Sequence, residues 1–267
     1  MITNLLHLDG EWLYLGAFFL LLVTIAALEI VWPIYASPAE PKGRLVANFG
    51  MGLINNLMLG LLPLSLIATA QWAQQAHFGL LNLVRLPGLA AALIAIGVRS
   101  LAGYWLHRLS HRSSLLWRIH RVHHCDVAVD LSTGFRNHPF EALVVAAVLI
   151  CAAALVGFAP LPLTIYESAA LAFSVWSHAN VRLPLWLEPV VRALFVTPDM
   201  HHVHHSAMRQ ETDSNYGDLF SFWDRLFGTY RSLDRTALRG IRFGLEDEHA
   251  ANLLRQLGAP LRKITAD

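Results

Sequence analysis

Eleven of the fourteen histidines fall between His107 and His205, and most sit in three short runs: HRLSH at 107–111, HRVHH at 120–124 and HHVHH at 201–205. On a helix, His107 and His111 stand one turn apart on one face, and each HxxHH run places its i, i+3 and i+4 imidazoles on one face. Neutral imidazole is the commonest side-chain metal ligand near neutral pH, so three such faces turned inward predict a site for more than one metal ion. In the last run, Thr197, Pro198 and Asp199 read as a helix start, with Thr as cap, Pro in the first turn and Asp against the dipole. His201, His204 and His205 then project together, and His202 lies about 100° round the helix from His201. Two further histidines stand at the ends of apolar segments: His178 in SHAN is read as a ligand, and His138 in FRNHPFE either as a ligand or as a neighbour that orients one.

The runs hold no carboxylate, so a metal here would be bound by nitrogen alone. Asp126, Asp130, Glu141, Asp199, Asp213 and Asp218 are available to orient imidazole N–H groups, or simply to be solvated. Cys125 follows His124 directly but has no second cysteine at ligand spacing, and Cys151 is expected to pack inside an apolar helix. Affinity order does not select iron over zinc, so metal supply and redox role would decide.

These residues need elements to hold them, and composition says where those elements lie. Of 267 residues, 55% are hydrophobic and 15% charged, with mean hydropathy +0.45, which is too apolar for an ordinary soluble domain. A bilayer core needs about 20 apolar residues per helix. Leu13 to Trp32, Met51 to Trp72 and Leu86 to Leu106 meet that length, interrupted by Glu29 in the first and Arg99 in the third. Ala142 to Ala159 and Leu161 to Ser177 read as a helical hairpin broken at Pro160 and Pro162. Arg99 and Glu167, ionisable within apolar segments, are either functional or, near helix ends, simply snorkel or pair. Leu185 to Val196 has an apolar face suited to a membrane interface or to packing. The first span lacks the basic flank and cleavage site of a removable signal, so it is expected to be retained.

Lys42 and Arg44 follow the first span, and Arg108, Arg112, Arg118 and Arg121 follow the third, which predicts that the histidine side is cytoplasmic. A net charge of +1 speaks against a nucleic-acid partner, and the local arginines suit anionic membrane lipids. The fold expected is an all-α integral membrane protein. It has four to five transmembrane or near-spanning helices and a cytoplasmic helical cap that carries the histidines.

The boxes HxxxH, HxxHH and HxxHH, together with NHPFE, SHAN and DSNYGDLFSFWDRLFGTY at 213–230, resemble the fatty acid hydroxylase and sterol desaturase superfamily of integral-membrane oxygenases. The resemblance covers about residues 95–230, leaving an N-terminal membrane region over 1–94 and a polar cytoplasmic tail over 231–267. It implies a centre of two iron ions, with zinc as a substitute on isolation, dioxygen as oxidant, and hydroxylation or desaturation of a sterol, fatty acyl or isoprenoid lipid. It places ligands at His107, His111, His120, His123, His124, His178, His201, His204 and His205. His138 matches a histidine present in part of the superfamily, and His202 occupies a variable position. No GxGxxG, P-loop or CxxCH accompanies the boxes, so electrons are expected from a separate protein. Two other classes use the same residues: a membrane metal-binding or transport protein, which would space ligands along a path through the bilayer, and a hydrolase, which needs fewer ligands for one zinc-bound water.

Overall fold

The computed structural model describes residues 10–36, 41–84, 86–245 and 251–262; the expected exits of both chain termini fall outside them. The elements that position the site are α1 (Gly10–Val31), α2 (Arg44–Gly60), α3 (Leu66–Gln75), the single turn α4 (Leu80–Leu83), α5 (Gly88–Arg112), α6 (Ser114–His124), α7 (Pro139–Val156), α8 (Pro160–His178), α9 (Glu188–Leu194) and α10 (Pro198–His204). Among the described residues, β pairing is confined to two isolated bridges, Phe195 with Phe220 and Ser206 with Phe243. The protein is an all-α membrane protein in which Trp12–Val31, Gly88–Arg112 and Pro139–Val156 are long and apolar enough to cross a bilayer.

The expected span from Met51 to Trp72 is instead two helices. Pro63 has no N–H to give and disfavours helical backbone at Leu62, so α2 ends at Gly60. The chain restarts at Ser65, whose hydroxyl accepts the Ala68 N–H at 3.1 Å. A continuous second crossing between Lys42 and His107 is therefore absent among the described residues. The hairpin is also looser than its sequence suggests. Helices α7 and α8 share the turn at Gly157, in left-handed backbone at φ 74°, but both pack on α3 and α5. Alanines at the contacts, Ala70, Ala95 and Ala153, let these helices approach closely around Phe158 and Leu163.

Behind the histidines, the segment between α6 and α7 is tied to α2 by buried polar groups. Arg44, 1% exposed, reaches Asp126 at 3.1 Å, Asp130 and the Ala128 carbonyl at 2.6 Å. Asn48 donates to Asp126 at 2.7 Å, and Arg136 donates to Asn48 at 2.8 Å and to the Val122 carbonyl at 2.8 Å. Glu29, the lone acid of the first span, accepts the backbone N–H groups of Leu131 and Asn180, each at 2.8 Å, and so ties α1 to the same segment and to the end of α8.

The region after Tyr230 is less peripheral than its polarity suggested. The turn of helix Leu253–Leu257 lays Leu253 and Leu257 against Met51, Val122 and Ala259. Cys151 also departs from expectation: it is exposed on the outer side of α7 rather than packed inside.

Removing one partner of a fully buried ion pair strands the others, which typically costs about 3–5 kcal/mol. Arg44→Met is therefore expected to lower unfolding stability by about that amount, with Arg44→Lys intermediate. Denaturant unfolding in detergent measures it, and an unchanged midpoint for Arg44→Met would show that the network carries no stability.

Candidate metal centre

Four helix ends meet at the histidines. The last two turns of α5 supply His107 and His111. Ser113 then leaves helical geometry (φ −89°, ψ 121°) and caps α6, so that α6 folds back along α5 with His120, His123 and His124 in its own last turn. His178 ends α8. Thr197 caps α10 by accepting the Met200 N–H at 3.4 Å, as the sequence implied, and α10 ends in His201, His204 and His205. All four helices present their C-terminal, negative ends to one place, which favours a cation there.

The imidazoles form two groups. His107, His111, His120, His124 and His204 bring one nitrogen each within 4.8 Å of one another, and His123, His178, His201 and His205 do the same; eight of the nine are buried and His107 is partly so. His138 joins neither. It caps α7, its Nδ1 accepting the Phe140 N–H at 3.1 Å, while its Nε2 faces the Leu257 carbonyl at 3.1 Å. Both ring nitrogens are thus committed elsewhere, and the expectation of His138 as a ligand gives way to a role in fixing the start of α7. Cys125 is likewise outside both groups.

Proton accounting tests whether these groups fit metal ions. A neutral imidazole has one N–H and one lone pair. His178 faces the Ser174 carbonyl through Nδ1 at 2.6 Å, which uses its proton and leaves Nε2 bare. That one lone pair meets Nε2 of His123, His201 and His205, each at 3.0 Å, and the latter two lie 3.2 Å apart. Hydrogen bonds alone cannot satisfy so many nitrogens pointing at one spot. Nitrogens bound to one ion at about 2.1 Å stand roughly 3.0–3.4 Å apart, so the spacing suits a shared cation.

The other group repeats the arrangement. His107 Nδ1 donates to the Tyr216 carbonyl at 2.9 Å, His204 Nδ1 to the Ser214 carbonyl at 2.7 Å, and His120 Nδ1 to Glu141 at 2.7 Å. The Nε2 atoms of His107, His111 and His204 are buried without a protein partner. Asp213 approaches His111 Nδ1 at 3.4 Å. Of the acids read as possible orienters, Glu141 and Asp213 thus face ligand candidates, whereas Asp126 and Asp130 serve the Arg44 network. Burial is the main cause that keeps His123, His124, His201 and His205 well below the usual histidine range. It pushes His204 down to about 3. Neutral rings keep the lone pairs that a metal needs.

His202 turns the other way, as its spacing predicted. Its Nε2 donates to the His178 carbonyl at 2.9 Å and its Nδ1 meets the Tyr35 hydroxyl. Several groups that shape the site were not readable as such: the carbonyls of Ser174, Ser214 and Tyr216 are backbone, and only the DSNYG context marked that loop. Asn215 holds it in left-handed backbone (φ 53°), donating to the Met200 and Arg231 carbonyls at 2.9 and 2.8 Å. Asp224 accepts the Tyr216 and Gly217 N–H groups at 2.7 and 2.9 Å. Trp117 covers the outer side, its ring 5.0 Å from His111 and 5.5 Å from His124.

The fatty acid hydroxylase family model matches residues 92–229, which span every one of these histidines. The chain belongs to the fatty acid hydroxylase family. Among curated relatives, ornithine lipid hydroxylase OlsE of Rhizobium tropici is 33% identical over 60% of this chain and 47% of its own length. Human alkylglycerol monooxygenase is 28% identical over 52% of this chain and 30% of its own. Human lathosterol oxidase is 26% identical over 48% and 41%. The chain thus spans less than half the length of these family members. No solved structure matches.

The split within the last box yields a direct comparison. Loss of a nitrogen that faces a group should release metal, whereas loss of a bracing ring should at most tune affinity. At equal folded yield, His204→Ala is expected to lose about one metal ion per chain and His202→Ala to retain its full complement. Retention by His204→Ala together with loss by His202→Ala would reverse the assignment.

Proposed function

We propose that this protein is a membrane-bound, dioxygen-dependent lipid hydroxylase or desaturase with two iron ions in its histidine groups. In this reading His107, His111, His120, His124 and His204 hold one ion, and His123, His178, His201 and His205 the other. Bound there, iron would supply dioxygen activation and hydrogen abstraction from an unactivated C–H bond, with electrons from a separate redox protein. The observation that carries the reading is a cavity of about 210 Å³ whose wall joins His107, His120, His123, His178 and His201 to the apolar side chains of Leu106, Val144, Val145 and Leu149. A lipid chain entering between α5, α7 and α8 is held by those walls with its reacting carbon against the imidazoles. Water is kept from that end by Trp117 and by the 213–230 segment, which packs Phe227 on Tyr104 at 5.2 Å. Glu141 and the three backbone carbonyls fix the orientation of His107, His120, His178 and His204, so the Nε2 atoms of those four rings stay aimed inward without reorganisation.

The relatives act on lipids by name, as an ornithine lipid hydroxylase, an alkylglycerol monooxygenase and a lathosterol oxidase. That range favours lipid chemistry without fixing one lipid. Protein purified without chelators is expected to carry about two metal ions per chain, iron or displacing zinc. Lipid extracts from cells expressing it should contain a species heavier by one oxygen or lighter by two hydrogens, absent when His123→Ala is expressed. Full metal loading with no such species under oxygen and reductant would sink the oxidative reading.

The orientation follows from the arginines near the site. Arg112 and Arg118 are exposed beside α6, and positive charge next to spans marks the cytoplasmic side. A reporter fused after Asp267 should be active only in a form that works in the cytoplasm; activity of an export-dependent reporter there would invert the topology.

A further inference from the structure

The cavity against the histidines opens into a second chamber of about 590 Å³ among Leu59, Leu62, Leu64, Ala146 and Ile150. The two chambers share the polar groups of Arg99, Asn137, Glu141, Ser174 and Asp218 and the apolar side chains of Val145 and Leu149, which therefore line the throat between metal end and apolar mouth. Charged groups at such a place in a membrane helix bundle are costly, and pairing explains only part of their presence.

The donor and acceptor inventory of this throat is one-sided. Arg99, 6% exposed, is the cation: Nε and Nη2 lie on the Glu167 carboxylate at 2.6 and 2.8 Å, and Nη1 faces Asp218 across 3.7 Å as an ion pair. Asp218 also accepts from the Tyr166 hydroxyl at 3.2 Å. On the metal side of the throat, the Ser110 and Ser177 hydroxyls give their protons to the Leu106 and Ser174 carbonyls, at 3.0 and 3.3 Å. The Asn55 amide donates to the Asn137 carbonyl at 2.8 Å, which leaves its oxygen buried without a partner. Glu141 Oε2, on the far side of the carboxylate that holds His120, is also buried and unpartnered. Throat and flanking chamber walls together thus carry three carboxylates, Glu141, Glu167 and Asp218, and unpartnered acceptors against the one guanidinium of Arg99.

An apolar chain passing through satisfies none of these acceptors, and a carboxylate head would add a further acceptor and a further negative charge. A hydroxyl or ammonium brings the missing donors. We propose that this throat selects lipids whose polar group donates hydrogen bonds over lipids that end in a carboxylate, with Glu167 and Asp218 setting the preference through Arg99. The proposal rests on the reading that the cavity receives the lipid substrate.

Three single-chain lipids that differ in the head alone separate the possibilities: hexadecanol, hexadecylammonium and hexadecanoate. They are competed for binding to the full-length, metal-loaded protein in neutral detergent. One net hydrogen bond corresponds to roughly tenfold in affinity, so both donors should outcompete hexadecanoate by about tenfold or more. Glu167→Gln and Asp218→Asn each replace an acceptor carboxylate by an amide that can donate, and they are made separately so that Arg99 keeps one carboxylate. In each, the preference should shrink to under about threefold, chiefly because hexadecanoate gains, with the thermal midpoint recorded as a check on folding. Equal binding of hexadecanoate by the unaltered protein overturns the proposal, as does a full preference surviving in both folded variants. Failure of the folded, metal-loaded protein to bind any of the three would instead overturn the lipid-cavity reading beneath it.

Discussion

Nine imidazoles whose lone pairs point at one another inside the protein are the constraint around which the chain is organised. A buried polar atom without a partner costs about 1–3 kcal/mol, and this site collects several of them at once. Spreading the rings apart would let each find water, but the fold does the opposite. It commits the Nδ1 atoms of His107, His178 and His204 to carbonyls and that of His120 to Glu141, and drives the remaining nitrogens together. Only a cation relieves such an arrangement, and the C-terminal ends of α5, α6, α8 and α10 add their own negative potential toward the same point. In the proposed reading, metal binding and folding would be linked, because the groups that would bind the ions are those most penalised without them.

Much of the remaining structure serves to hold four helix ends in register. The Ser113 corner sets α6 against α5, and the Arg44, Asn48 and Arg136 network anchors the exit from α6 to α2. Asp224 and Asn215 shape the loop that offers carbonyls to His107 and His204. These are polar devices behind an apolar bundle, and each one positions backbone rather than a ring directly. His202 belongs with them: by bonding the His178 carbonyl it ties α10 to the end of α8, at the joint between two ligand-bearing helices.

The ligand candidates were legible in the sequence because helical periodicity alone groups i, i+3 and i+4. How they divide was not. Within HRVHH, His120 and His124 face one group while His123 faces the other, and within HHVHH, His204 separates from His201 and His205. A face one turn wide can straddle two centres, and only the neighbouring helices decide which nitrogen falls where. His138 misled because a histidine before a proline is equally suited to capping a helix, and here the cap won. The span at Met51 to Trp72 misled for a similar reason: average hydropathy registers apolar content, whereas Gly60, Pro63 and Ser65 govern whether the backbone can continue through it. Arg99 and Glu167 stood out singly as ionisable groups in apolar segments, but their pairing with each other depended on α5 and α8 meeting beside a cavity, which no local pattern records.

Charge links the two ends of that cavity. Metal ions held by neutral imidazoles alone keep their positive charge uncompensated, in contrast to centres with carboxylate ligands. In a low-dielectric interior that charge seeks anions nearby. Glu141 and Asp213 stand directly behind imidazoles, and Asp218 and Glu167 stand further along the passage. The carboxylates that are expensive in a bare helix bundle thus become reasonable once cations occupy the histidine groups. Arg99 prevents two of them from collapsing onto the metal end, since its guanidinium holds Glu167 by two hydrogen bonds and faces Asp218. In the proposed reading the all-nitrogen histidine groups and the acceptor-rich throat would be two halves of one electrostatic arrangement, in which negative charge lies near the ions without entering their ligand shell.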